Sequence, residues 1–229
     1  MTSGPAQITT NQTEVIDVEI SPHGLPGCLR LPPRPRGVII FAHGSGSSRK
    51  SPRNVYVAEA LRGQGYASLL FDLLSDREAE SRANVFDIQL LAKRLVGACK
   101  WARMAHETRG MPIGLFGAST GAAAALEAAV ELGDQVSAVV SRGGRPDLAG
   151  AVLEAVTSPT LLIVGGRDPD VLGLNRAALA MLDGPKKLHT IPGATHLFSE
   201  PGALDAVISA AADWFDAYCR QRDNEQERR

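Results

Sequence analysis

A serine hydroxyl attacks a carbonyl only when a neighbouring base takes its proton and a third group orients that base. The sequence frames one serine for such work. Gly117-Ala118-Ser119-Thr120-Gly121 fits G-x-S-x-G and lies between an apolar run, MPIGLF, and an Ala-rich run, AAAALEAA. A strand that passes at once into a helix turns so sharply that the hydroxyl stands above the sheet, at a helix N-terminus that favours negative charge. The flanking glycines leave out side chains that would strike the neighbouring strand and helix. Taken alone, the string also suits a Gly-rich turn with Ser119 capping a helix. A base and an acid decide between the two.

Five histidines are available for the base. His23 falls in a hairpin loop, His106 at a helix end and His189 inside a strand, positions that suit solvated or packed residues. His43 ends a strand ahead of the nucleophile and is expected to shape its loop. His196, in Gly193-Ala194-Thr195-His196-Leu197-Phe198, follows the last strand, where a base belongs. For the acid, Asp168 follows PTLLIVGGR directly, and Asp170 competes from two residues on. Asp168 is favoured as the nearer to the strand end. Ser119, Asp168 and His196 then each follow a different strand, on one edge of a sheet. An oxyanion needs two backbone N–H donors. Thr120, after the nucleophile, is one; Ser45 in His43-Gly44-Ser45-Gly46-Ser47-Ser48 is the other, with Gly46 second. Arg142 and Arg145, after another strand, could pair a substrate carboxylate or phosphate; a salt bridge from either, with Asp147 as the partner at hand, could instead pin the loop.

The elements that must position these groups follow from periodicity. Strand-like runs occupy 15–20, 28–32, 37–44, 66–72, 111–117, 136–141, 159–166 and 186–192, and helical spacing covers 53–63, 83–105, 120–133, 171–182 and 203–218. Apolar strands alternating with amphipathic helices predict α/β architecture: about eight strands, mostly parallel, with helices on both faces. The first two strands, joined by a short loop, should pair antiparallel at one edge. Ligands of such sheets bind beyond the carboxyl ends of the strands. The stretch 142–158 is too short for an inserted cap domain, so the loop 73–84 is the expected cover of an open site.

Composition narrows the class. With 229 residues, 44% hydrophobic and 21% charged, the chain suits one globular domain, expected at 12–219, with flexible tails at 1–11 and 220–229. A net charge of -1 lacks the basic excess of a nucleic-acid binder. Cys28, Cys99 and Cys219 are too scattered for a thiolate metal site or a disulfide framework. No apolar run reaches the roughly 20 residues that span a bilayer, and the polar N-terminus lacks a signal core. The expectation is a cytoplasmic protein without metal or cofactor and without nucleic-acid or membrane partners.

At this point a resemblance enters. FAHGSGSSRKSPRN, LLFDLL, GLFGASTGAAAALEAA, VVSRGGRPDLAG, PTLLIVGGRD and IPGATHLFSEPGAL resemble the small α/β-hydrolases of the dienelactone-hydrolase-like family, over roughly residues 12–218. The order Ser119, Asp168, His196 is that of the α/β-hydrolase triad. The resemblance implies an α/β-hydrolase fold, that triad and an esterase-type activity on small-molecule esters. Some relatives carry a fused phosphoribosyltransferase domain, for which this chain is too short. Dienelactone hydrolases proper carry Cys at the nucleophile position, whereas Ser119 favours a serine carboxylesterase. A thioesterase or acyltransferase would use the same triad, and a non-catalytic binding module would keep only the fold.

Overall fold

Strands buried at nearly every position have cover on both faces, and five runs here are of that kind. In the computed structural model, which describes residues 14–219, they form the middle of one sheet. They are β3 (Val38–Ala42), β4 (Ala67–Phe71), β5 (Ile113–Ala118), β6 (Val136–Arg142) and β7 (Thr160–Gly165). The edges are β1 (Glu14–Ile20), beside β2 (Leu25–Leu31), and β8 (Lys186–Ile191). Both edge strands keep exposed positions, as strands lacking a neighbour on one side do. The expected tails, 1–11 and 220–229, lie outside the described residues.

The strand order is β1-β2-β4-β3-β5-β6-β7-β8. β1 and β2 pair antiparallel, β2 is also antiparallel to β4, and the rest are parallel. Alternation splits the core: Val38, Ile40 and Ala42 of β3 join one cluster, Ile39 and Phe41 the other. The first cluster is completed by α4 (Ile88–Met104), α5 (Thr120–Leu132) and α6 (Pro169–Met181), the second by α1 (Pro52–Gly63) and α7 (Ala203–Tyr218). This is an α/β-hydrolase fold without a cap domain. From β3 the chain steps outward to β4, then returns past β3 to β5. That reversal opens a crevice between the carboxyl ends of β3 and β5, where ligands of such sheets bind.

One predicted element differs. The helix expected over 83–105 starts only at Ile88, because Asp87 caps it by accepting from Leu90 N–H at 2.9 Å. Upstream, the cover expected as a loop is built from two short helices, α2 (Asp76–Ala79) and α3 (Arg82–Val85). A capping box fixes α2: Ser75 Oγ accepts from Glu78 N–H, and Glu78 Oε2 accepts from Ser75 N–H at 2.9 Å. Arg94 of α4 holds the same glutamate at 2.6 Å.

Candidate active site

The serine sits where β5 turns into α5, and the turn is strained. Ser119 has φ 52° and ψ -122°, a left-handed conformation that a non-glycine residue adopts only when its surroundings enforce it. The enforcement comes from packing. A Cβ on Gly121 would lie 2.2 Å from the Ala42 carbonyl oxygen, and one on Gly117 would lie 2.5 Å from the Ala122 Cα. Glycine at both places lets the helix start press against β3 and β5. Ser119 N–H donates to the Arg142 carbonyl at 3.3 Å, and the Ser119 carbonyl accepts from Arg145 N–H at 3.0 Å. The backbone of the elbow is thus held by the loop after β6.

That loop also touches His196, the candidate base. A Cβ on Gly143 would lie 3.6 Å from His196 Cε1 and 3.1 Å from the His196 carbonyl oxygen. His196 Nδ1 donates to Asp168 Oδ2 at 2.7 Å, which leaves Nε2 free to take a proton. It is Asp168, with its side chain only 15% exposed, and not the exposed Asp170 that meets the imidazole. The loops after β7 and β8 clasp each other, Gly166 N–H donating to the Ile191 carbonyl at 2.8 Å and Arg167 N–H to the Ala194 carbonyl at 2.9 Å. Three loops, from β5, β7 and β8, therefore bring Ser119, Asp168 and His196 to one edge. Ser119 Oγ makes no hydrogen bond with the described residues; such links commonly tighten only when substrate binds.

Thr120 opens α5, so its N–H has no partner in the helix. Ser45 N–H points to the same place, but donates to Thr120 Oγ1 at 2.9 Å. Sequence reasoning selected both amides and missed this hydroxyl, because the contact joins loops 75 residues apart. Its only advance signal was the choice of Thr directly after the serine. His43 Nδ1 donates to the Gly44 carbonyl at 3.0 Å and Nε2 accepts from Leu73 N–H at 3.1 Å. Both ring nitrogens are used to tie the loop after β3 to the segment after β4. Burial holds the His43 pKa below its ordinary value, which keeps the ring neutral.

The two arginines part ways. Arg145 forms a fork with Asp147, through bonds of 2.9 and 2.8 Å, and so pins its own loop. Arg142 is only 8% exposed and bonds Asn54 Oδ1 of α1 at 3.2 Å, while its Nη1 is buried with no partner among the described residues. Burial, aided by nearby Arg53, pulls its pKa down to about 10. Among the described residues, no three of His, Cys, Asp and Glu stand together as metal ligands. No described helix is long and apolar enough to cross a membrane. The free thiols of Cys99 and Cys219 are buried, which pushes each pKa up to about 12 and makes them poor nucleophiles.

Known proteins share this arrangement of elements. A crystal structure of dienelactone hydrolase from Anabaena variabilis ATCC 29413 superposes with a TM-score of 0.86 and 52% identity, over 91% of this chain and 99% of that one. Est1E from Butyrivibrio proteoclasticus shares the fold at a TM-score of 0.73 and 18% identity, over 88% and 98% of the two chains. A Mycobacterium tuberculosis H37Rv protein provisionally named phosphoribosyl transferase is 56% identical over 202 residues, 88% of this chain. The chain spans 46% of the length of that relative. The sequence profile of the dienelactone hydrolase family matches residues 25–220, so the chain belongs to the dienelactone hydrolase family.

Proposed function

We propose that the protein is a serine hydrolase that cleaves carboxylic esters through an acyl-enzyme. The observation that carries this reading is the Asp168–His196 hydrogen bond of 2.7 Å, made on the same sheet edge as a serine held at φ 52°. His196 Nε2 takes the Ser119 proton as Oγ attacks the carbonyl carbon. Asp168 holds the imidazole in the required tautomer and stabilises the imidazolium that forms. The negative charge that develops on the carbonyl oxygen meets Thr120 N–H and Ser45 N–H. When the intermediate collapses, His196 returns the proton to the departing alkoxide. Water, deprotonated by the same nitrogen, then releases the acid. The transferase name of the mycobacterial relative is not carried over, since the chain spans under half of that protein.

A fluorophosphonate probe and a p-nitrophenyl ester test this reading. Wild-type protein should be labelled at Ser119 and should release p-nitrophenolate. Ser119→Ala should lose all labelling and on the order of 10³-fold or more of the rate, with thermal stability little changed. Turnover by Ser119→Ala near the wild-type rate would sink the proposal.

A further inference from the structure

Beside the oxyanion loop lies a cavity of about 140 Å³. One wall is the loop His43–Ser48, whose Gly44 packs against Ser119; a Cβ there would lie 3.7 Å from Ser119 Oγ. The other wall is apolar: Leu73 and Leu74 after β4, Ala79 of α2, Val85 of α3 and Leu91 of α4. The cavity therefore lies next to Ser119, across Gly44, and is walled by the two short helices that stand where a cap domain would.

The strand order says which half of an ester would enter it. Ser119 follows β5; the cavity is built after β3 and β4, on one side, and Asp168 and His196 follow β7 and β8, on the other. The leaving oxygen must sit near His196 to receive its proton. With that oxygen directed towards β8, the remaining substituent of the carbonyl is directed towards β4. We propose that this cavity is the acyl pocket and that it admits a neutral acyl group of up to about six carbon atoms. An apolar cavity of roughly 150 Å³ holds a benzene ring, which sets the size limit. Asp72 and Asp76 also line the cavity, and of the two only Asp72 is ion-paired among the described residues, with Arg49. A carboxylate on the acyl group is therefore repelled. This inference rests on the esterase reading and adds a substrate class to it.

The test uses p-nitrophenyl esters from acetyl to dodecanoyl, which keep the leaving group constant. A second series of hexanoate esters varies the alcohol from methyl to hexyl. For wild type, kcat/KM should rise about three- to fourfold per methylene up to butanoyl or hexanoyl. It should fall at least tenfold by dodecanoyl. Ala79→Phe, at an exposed lining position, should fill the cavity and move the optimum to acetyl. Val85→Ala should enlarge it and move the optimum to octanoyl. Neither change should alter the alcohol profile. The acyl assignment is overturned if the variants shift the alcohol profile instead, or if Ala79→Phe leaves both profiles as in wild type. Should Val85→Ala fail to fold, Ala79→Phe alone decides. If Ser119 is labelled by fluorophosphonate yet acyl length has no effect, the pocket fails and the esterase reading survives. Without labelling or turnover of any ester, both fail.

Discussion

The contact between Ser45 N–H and Thr120 Oγ1 poses a sharp question about the candidate oxyanion hole. The substrate oxygen must either displace the hydroxyl from the Ser45 amide or receive the proton of that hydroxyl. Backbone amides as the working donors predict that Thr120→Val, which keeps shape but removes the hydroxyl, retains kcat within about threefold. A hydroxyl acting as direct donor would instead cost on the order of 10² to 10³ in kcat, the usual loss for one such donor. Measuring kcat for Thr120→Val and Thr120→Ser on one ester separates the two. A large loss in the valine variant with recovery in serine would refute the amide pair. At this scale the placement of Ser119, Asp168 and His196 was legible because each follows a strand, and position relative to strand ends survives in sequence. The Thr120 hydroxyl was not, because its partner lies on another loop and no local pattern encodes the meeting. Asp168 and Asp170 were separable only by distance from the strand end, and the hydrogen bond to His196 is made by the nearer of the two.

Among elements, the loop after β3 depends on a neutral histidine. His43 Nε2 can accept from Leu73 N–H only while unprotonated, and burial lowers its folded pKa below the ordinary 6.5. The unfolded chain then binds more protons than the folded one in the window that opens near 6.5 and extends downward. Stability from this group is present above that value and is lost as pH falls through the window. Thermal unfolding between pH 7 and 5 should show the decline in wild type. His43→Gln, which offers an acceptor that does not titrate there, should be less stable at pH 7 but flatter in slope. Parallel slopes for the two proteins would rule out His43 as the source. The segment that His43 grips was only partly readable. Continuous apolar spacing from Val85 to Val96 suggested one helix, whereas Asp87 caps a new one and Val85 lines the cavity. A local signal for α2 was nonetheless present. Ser75-Asp76-Arg77-Glu78 is the S-x-x-E of a capping box, hidden by the lack of an apolar run after it.

Across the whole molecule, the carboxyl edge of the sheet carries charge unevenly. Towards β4 the cavity presents Asp72 and Asp76; towards β6 stands Arg142, a buried cation with no carboxylate partner among the described residues. Strand alternation in the sequence identified the sheet and its carboxyl edge. It could not rank the arginines, since Asp147 stands near both in sequence and Asn54, which takes Arg142, lies 88 residues away. An uncompensated buried charge is costly, and Arg145 already satisfies its fork with Asp147, so Arg142 is the one with charge to spare. This polarity predicts that a negative charge is accepted on the alcohol side of the ester and rejected on the acyl side. Arg142→Lys keeps the charge but loses the planar fork. Losing one charge-assisted hydrogen bond costs about 1.5 to 3 kcal/mol, roughly 10- to 150-fold in kcat/KM. The variant should lose that factor for an ester whose alcohol bears a carboxylate and stay near wild type for its neutral isostere. If both esters decline equally, and thermal stability declines with them, Arg142 serves only to tie the end of β6 to Asn54 and the start of α1.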